Sequence, residues 1–332
     1  MQLLRVQQGL FVACSKQTTT RITATSLSST SLRFSKRTHT LPSTVCIKAS
    51  YTTMAPEQPR PRNKLQEFFP NVKLPVIISP PMLAVSNGHL AAQVSKAGGF
   101  GLVPGGYDMT PGSAQLRSAD EELGRAREAL GLADMTLTPA PVGVGFVTCH
   151  ESAARFRETA LPILERHLPQ AVWLFAPDPA AGQRAHPGII EALHDRGIKV
   201  FVQVGTVAAA REAAADGADI IVAQGADAGG HQFAAGAGVI SLVPEVRAML
   251  DEEFAGKDIA LVAAGGIADA NAVVAAIALG ESLPCWSLDW NVHLSVTNEL
   301  LLGADGVVMG TKVSLPARAG FFEPETMWMA MI

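Results

Sequence analysis

Eight short apolar runs recur between residues 75 and 312, each followed by small residues and then by an alanine-rich stretch with helical character. The runs are VIISPPM (76–82), GFGLVPGG (99–106), PVGVGF (141–146), AVWLFA (171–176), KVFVQV (199–204), DIIVAQG (219–225), IALVAAGG (259–266) and DGVVMGT (305–311). They are continuously apolar rather than alternating, as strands buried on both faces must be. Between them lie HLAAQVSKAG, AQLRSADEELGRAREALG, VAAAREAAADG and ANAVVAAIALG, helical stretches ending in glycine. Strands alternating with helices form a parallel sheet, and eight units over about 250 residues are the size of a (β/α)8 TIM barrel. A doubly wound open sheet is the fold alternative.

In a barrel of this kind, chemistry gathers in the loops after the strands. Those loops are rich in glycine here: Gly105 and Gly106 after the second run, Gly225 to His231 after the sixth, Gly265 and Gly266 after the seventh, and Gly310 with Thr311 after the eighth. The last two pairs stand where barrels bind phosphate through backbone N–H groups, so a phosphorylated ligand is expected. Glycine also lets the backbone come closer to a ligand than any side chain would allow. His231, at the end of ADAGGH, is therefore the candidate reactive side chain.

Composition and charge exclude several partners. Residues 1–53 carry seven Lys or Arg and no acid, which leaves 19 basic against 30 acidic residues and a net charge of −11 for the rest. An acidic body is not a nucleic-acid binder, since phosphate neutralisation needs a basic face. No apolar stretch reaches the roughly 18 to 20 residues of a membrane-spanning helix, so no membrane partner is expected. Cys14, Cys46, Cys149 and Cys285 are too scattered for a zinc site or a disulfide framework, and no metal is expected.

Four stretches, PVIISPPMLAVSNGHLAAQVSKAGGFGLVPGG (75–106), VQVGTVAAAREAAADGADIIVAQGADAGGHQ (202–232), LVAAGGIADANAVVAAIALG (261–280) and GADGVVMGTK (303–312), resemble the nitronate monooxygenases, FMN-dependent barrel enzymes once called 2-nitropropane dioxygenases. The resemblance covers most of residues 75–312. It implies that Pro81 and Met82 line the flavin ring, that Gln203 approaches it, and that Gly229 and Gly230 let the sixth loop pass beside it. It further implies that Gly265, Gly266, Gly310 and Thr311 hold the FMN phosphate and that His231 is catalytic. The substrates implied are a small nitronate and oxygen, and the products a carbonyl compound and nitrite. Carbon beside a nitro group is acidic enough for a base titrating near neutrality, which suits histidine. With a substrate that enters as the nitronate, His231 acts through hydrogen bonding and charge instead. The absence of a GxGxxG fingerprint favours FMN over FAD.

Two rival functions stay open on the sequence: a flavin-dependent enoyl-acyl-carrier-protein reductase, which resembles the same family, and an inactive flavin-binding protein. His150, in TCHES after the third run, stands at the reactive face, where it reads either as a ligand contact or as a polar helix entry. Asp227 reads as a turn former. Gly145 replaces an Asn common in the family and Gln203 a Lys found in some members, which puts two flavin contacts in doubt. The chain stops 21 residues after Thr311, where the family continues into helices over the site, so part of a lid is expected to be missing.

Residues 54–332 are read as the barrel domain. Residues 1–53, rich in Ser, Thr and Arg, are expected to be disordered. They have the composition of a mitochondrial transit peptide, which would place the protein in mitochondria; with Met54 as the true start it would be cytoplasmic. Residues 281–302, ESLPCWSLDWNVHLSVTNELLL, interrupt the seventh helix and eighth strand and are read as an insertion. Gly280–Ser282 can be encoded with a splice-donor pattern and Thr297–Asn298 with a branch-like one. An intron translated in frame is therefore expected, with a functional loop as the alternative.

Overall fold

A computed structural model describes residues 63–177, 184–279 and 303–310. Residues 1–53, the segment 281–302 and Thr311 lie outside these, and so does the chain after Gly310. The eight expected runs form eight parallel strands: β1 (Ile77–Ser79), β2 (Phe100–Gly106), β3 (Ala140–Val147), β4 (Pro169–Phe175), β5 (Lys199–Val204), β6 (Ile220–Gln224), β7 (Ala260–Ala264) and β8 (Gly306–Val308). They pair in sequence order, and β8 pairs back onto β1 through Ile77 with Val307, so the sheet is a closed barrel and not the open alternative. The helices are α1 (Lys64–Phe68), α2 (Gly88–Ala97), α3 (Ala114–Ala129), α4 (Phe156–Thr159), α5 (Leu161–His167), α6 (Ala185–His194), α7 (Val207–Asp216), α8 (Val239–Glu253) and α9 (Ala270–Ala278), with a 3-10 turn at Glu151–Arg155. No helix among the described residues is long and apolar enough to cross a membrane.

Strand residues alternate between two apolar layers. Val200, Val202 and Val204 of β5 and Ile221 and Ala223 of β6 face outward to the helices, while Phe201, Ile220 and Val222 face the barrel interior. Continuous apolar runs were required because both layers exclude water. Gly98 and Gly217 end α2 and α7 in the left-handed conformation, as the glycine-closed patterns predict. Asn87, Ser113, Thr206 and Asp269 cap the starts of α2, α3, α7 and α9 through side-chain oxygens. Such a cap contributes about 1 kcal/mol and fixes the angle at which each strand-to-helix loop enters its helix.

The short helix α1 precedes β1 and was not expected from the sequence. It closes the N-terminal end of the barrel, inserting Leu65 and Phe69 into the interior. Phe69 stacks on Phe100 at 4.3 Å and on Phe201 at 5.9 Å, and Trp173 stacks on Phe201 at 5.6 Å. Asn63 Nδ2 donates to the Asp305 carbonyl and Lys64 Nζ to the Ile259 carbonyl, tying α1 to the starts of β8 and β7. Asp305 is buried beside Arg247 at 3.1 Å and also accepts the Leu261 N–H. Burial pushes its carboxyl up, against the pull of Arg247 and the Leu261 hydrogen bond. Aromatic rings thus fill the lower half of the barrel, and any ligand must sit above them.

The flanks of 281–302 meet. The Gly303 N–H donates to the Ile277 carbonyl at 2.9 Å. Without residues 281–302, Gly303 would stand four residues after Ile277, and this bond would be the ordinary i to i−4 bond of a last helical turn. Deleting 281–302 is therefore expected to leave cooperative unfolding and the far-ultraviolet circular dichroism spectrum intact and to raise the soluble yield. A deletion variant that no longer unfolds cooperatively, or transcripts that all retain the segment, would make it part of the protein.

Candidate active site

Above the aromatic plug the barrel opens into a cavity of about 1010 Å³ at the C-terminal ends of the strands, at the upper end of the range for cofactor and small-molecule sites. Pro81, Met82, Gln203, Gly229, Gly230, His231, Gly265, Gly266 and Gly310 all line it. Nine of the ten residues singled out by the sequence are thus brought to one cavity, and the tenth, Thr311, lies outside the described residues.

The loop after β6 carries His231, and it is held at several points. The Gly225 N–H donates to the Ala264 carbonyl, Ala226 to Ala237 and Ala228 to Gly225, which closes the loop at its base. Asp227 accepts the Val239 N–H at 2.9 Å and so caps α8, whose own Gly238 has no side chain to do so. The role is structural, as expected of Asp227, but the partner lies 12 residues on rather than in a local turn. Phe233 packs edge-on against Phe175 at 5.2 Å and anchors the returning limb. From inside the barrel, Gln224 Nε2 donates to the His231 carbonyl at 3.0 Å. Among the described residues nothing hydrogen-bonds the His231 ring, which stands exposed at the cavity edge.

Backbone conformation requires glycine at three of these positions. Gly230, Gly265 and Gly266 have φ of 78°, 114° and 68°, which a side chain would strain. A Cβ on Gly229 or Gly230 would meet nothing within 4 Å, so open space lies beside both. No acceptor among the described residues meets the backbone N–H of Gly266 or Gly310. Both are free to donate to an anion, as a phosphate site needs.

Three contacts at this end of the barrel were not read from the sequence. Trp173 Nε1 donates to Gln203 Oε1 at 2.9 Å, which fixes the amide with its NH2 group as the remaining donor. Gln224 is buried at the end of β6 and lines the cavity; a glutamine ending an otherwise apolar run was the signal for it. Gly145 faces Pro81, whose Cγ would lie 2.2 Å from a Cβ at that position. The place where family members carry Asn is therefore filled by the Pro81 ring.

Thr148, two residues before His150, ties the rim together. Its hydroxyl donates to the Phe175 carbonyl and accepts from His186 Nε2 at 2.7 Å, joining the ends of β3 and β4 to α6. Burial, with a smaller contribution from Arg184, lowers the His186 pKa from 6.5 to about 4.

A family model described as nitronate monooxygenase matches residues 180–282. A nitronate monooxygenase from Neurospora crassa is 51% identical over 265 residues, covering 77% of this chain and 64% of that protein. The chain belongs to the nitronate monooxygenase family. The family's npaC from Metarhizium robertsii is 37% identical over 67% of this chain and 60% of its own length. The chain thus spans less than two thirds of the length of either relative. Among solved structures, FabK from Thermotoga maritima (24% identity, TM-score 0.52, 76% of this chain and 62% of that one) shares the fold. So does nitroalkane oxidase from Streptomyces ansochromogenes (24%, TM-score 0.51, 76% and 68%).

Two predictions follow from the rim and from β3. His186 is held neutral in the folded protein, so its contribution to stability is complete above pH 6.5 and is lost as pH falls towards about 4. The loss at the acid end is up to about 3 kcal/mol, at about 1.4 kcal/mol per pKa unit. Urea unfolding between pH 7.5 and 4.5 should show this slope, and His186→Gln should flatten it. Gly145→Ala should destabilise by about 1 to 3 kcal/mol through overpacking against Pro81, and Pro81→Ala in the same chain should restore stability.

Proposed function

We propose that this chain is an FMN-dependent enzyme that oxidises small alkyl nitronates with dioxygen to a carbonyl compound and nitrite. The observation that carries the reading is the position of His231. It stands at the edge of a glycine-walled cavity on a loop held by Gln224, Asp227 and Phe233. The relatives named nitronate monooxygenase support the substrate class.

The residues present fit an FMN group. Pro81 and Met82 offer an apolar wall for the ring system, and the Gln203 NH2, aimed by Trp173, offers a donor to its pyrimidine end. Gly229 and Gly230 leave room beside it. Gly265, Gly266, Gly310 and Thr311 would hold the phosphate through backbone N–H groups. When bound, FMN supplies the electron acceptor and the reaction with dioxygen.

The chain itself supplies binding, orientation and proton transfer. A neutral nitroalkane needs its Cα proton removed, and an imidazole nitrogen of His231 takes it as general base. With a nitronate no proton has to leave, and His231 donates a hydrogen bond to the anion. Asp227, whose carboxylate accepts the Val239 N–H, positions the loop that carries His231.

Purified protein is expected to show a flavin absorbance spectrum, to release FMN on denaturation, and to be bleached anaerobically by propyl-2-nitronate but not by NADPH. His231→Asn should keep its flavin and lose about 10² to 10⁴ in turnover of neutral nitroalkanes, the usual range for a general base. Bleaching by NADPH with no nitronate oxidation would favour reduction of a C=C bond. Bleaching by neither would leave a flavin-binding protein, and release of FAD would sink the phosphate assignment.

A further inference from the structure

We propose that His150 is a second substrate-binding histidine of this cavity, whose Nε2–H donates to a nitro oxygen of the substrate across from His231. The proposal rests on the nitronate reading above, and it concerns a residue from a different strand and a different loop. His150 follows β3 whereas His231 follows β6, and two strands separate them around the closed barrel. Both line the same cavity.

The Ser152 backbone contact assigns the proton of the neutral His150 ring to one nitrogen. The Ser152 backbone N–H donates to His150 Nδ1 at 3.3 Å, capping the 3-10 turn Glu151–Arg155. A backbone N–H can only donate, so Nδ1 is an acceptor and the neutral ring is protonated on Nε2. Ser152 Oγ also lies 2.7 Å from Nδ1 and accepts the Met109 N–H, which ties the ring to the loop after β2. Tyr107 meets the ring edge to face at 6.1 Å and lines the cavity beside it. Among the described residues nothing accepts from Nε2.

A helix cap alone needs nothing so long. Ser, Asp and Asn supply the same acceptor with fewer atoms and are the usual residues at such a position. Histidine adds to the cap a donor about one ring width further out, at the cavity wall. A nitronate is a planar anion with two oxygens, and one imidazole N–H cannot serve both. His150 and His231 together offer each oxygen its own donor, and a hydrogen bond to a charged group is among the stronger ones.

His150→Asn separates the two roles, because the Asn side-chain oxygen keeps the cap while the outer donor is lost. His150→Gln places an amide nitrogen near the position of Nε2. The purified holoprotein and both variants would be titrated calorimetrically with propionate, a planar two-oxygen anion that cannot be oxidised by this route. KM and kcat for propyl-2-nitronate would be measured in parallel, with flavin content and Tm as controls. The Asn variant should bind propionate about 10- to 100-fold more weakly, the loss of one hydrogen bond to a charged group. Its KM should rise similarly with kcat little changed, and the Gln variant should recover most of the loss. An Asn variant indistinguishable from wild type would leave His150 as a cap and overturn the proposal. Equal losses in Asn and Gln would assign the effect to packing and also overturn it, as would a wild-type protein that binds neither anion. Wild-type protein that binds propionate but does not oxidise nitronate would refute the reaction proposed above, while weaker binding by the Asn variant would still support His150.

Discussion

A closed ring of eight parallel strands leaves an interior that has to be filled, and this chain fills it unequally. Phe69, Phe100, Phe201 and Trp173 stack through the lower part of the barrel. Higher up, the inward positions of β3 are Gly143 and Gly145, with Val142 and Val144 turned out to the helices. The cavity exists because large rings close one end and small residues line the other. Packing at interior density leaves no slack in the lower half, so the groups above it sit on a rigid base. Trp173 belongs to both halves, stacking on Phe201 below and orienting Gln203 above.

What the sequence disclosed follows from this arrangement. Strands buried on both faces must be continuously apolar, so all eight runs were visible, including β8 with three residues. Glycines that line the cavity were visible because they fall directly after those runs. The helix α1 was not, since its five residues are too few to show a helical period. Nor was the pair that orients the cavity amide. Trp173 and Gln203 are 30 residues apart. Which inward positions of neighbouring strands come together is set by strand register.

The site residues separate into two kinds on the same grounds. His231, Gly229 and Gly230 stood out because a polar or small residue follows an apolar strand. Gln224, Ser152 and Asp227 act through other residues: one holds the His231 carbonyl, one the His150 ring and one the start of α8. Nothing in their spacing announces a backbone carbonyl or N–H as partner. The Pro81 ring against Gly145 is a similar case, in which one residue takes the volume another has given up.

The hydrogen bond between Gly303 and Ile277 has a topological meaning. It brings two points of the chain together at the N-terminal end of the barrel, opposite the loops that carry His150 and His231. Chain length can therefore change there while every strand keeps its neighbours. At this corner the ladder, with β8 paired between β7 and β1, holds the last strand in place rather than the covalent order of the chain.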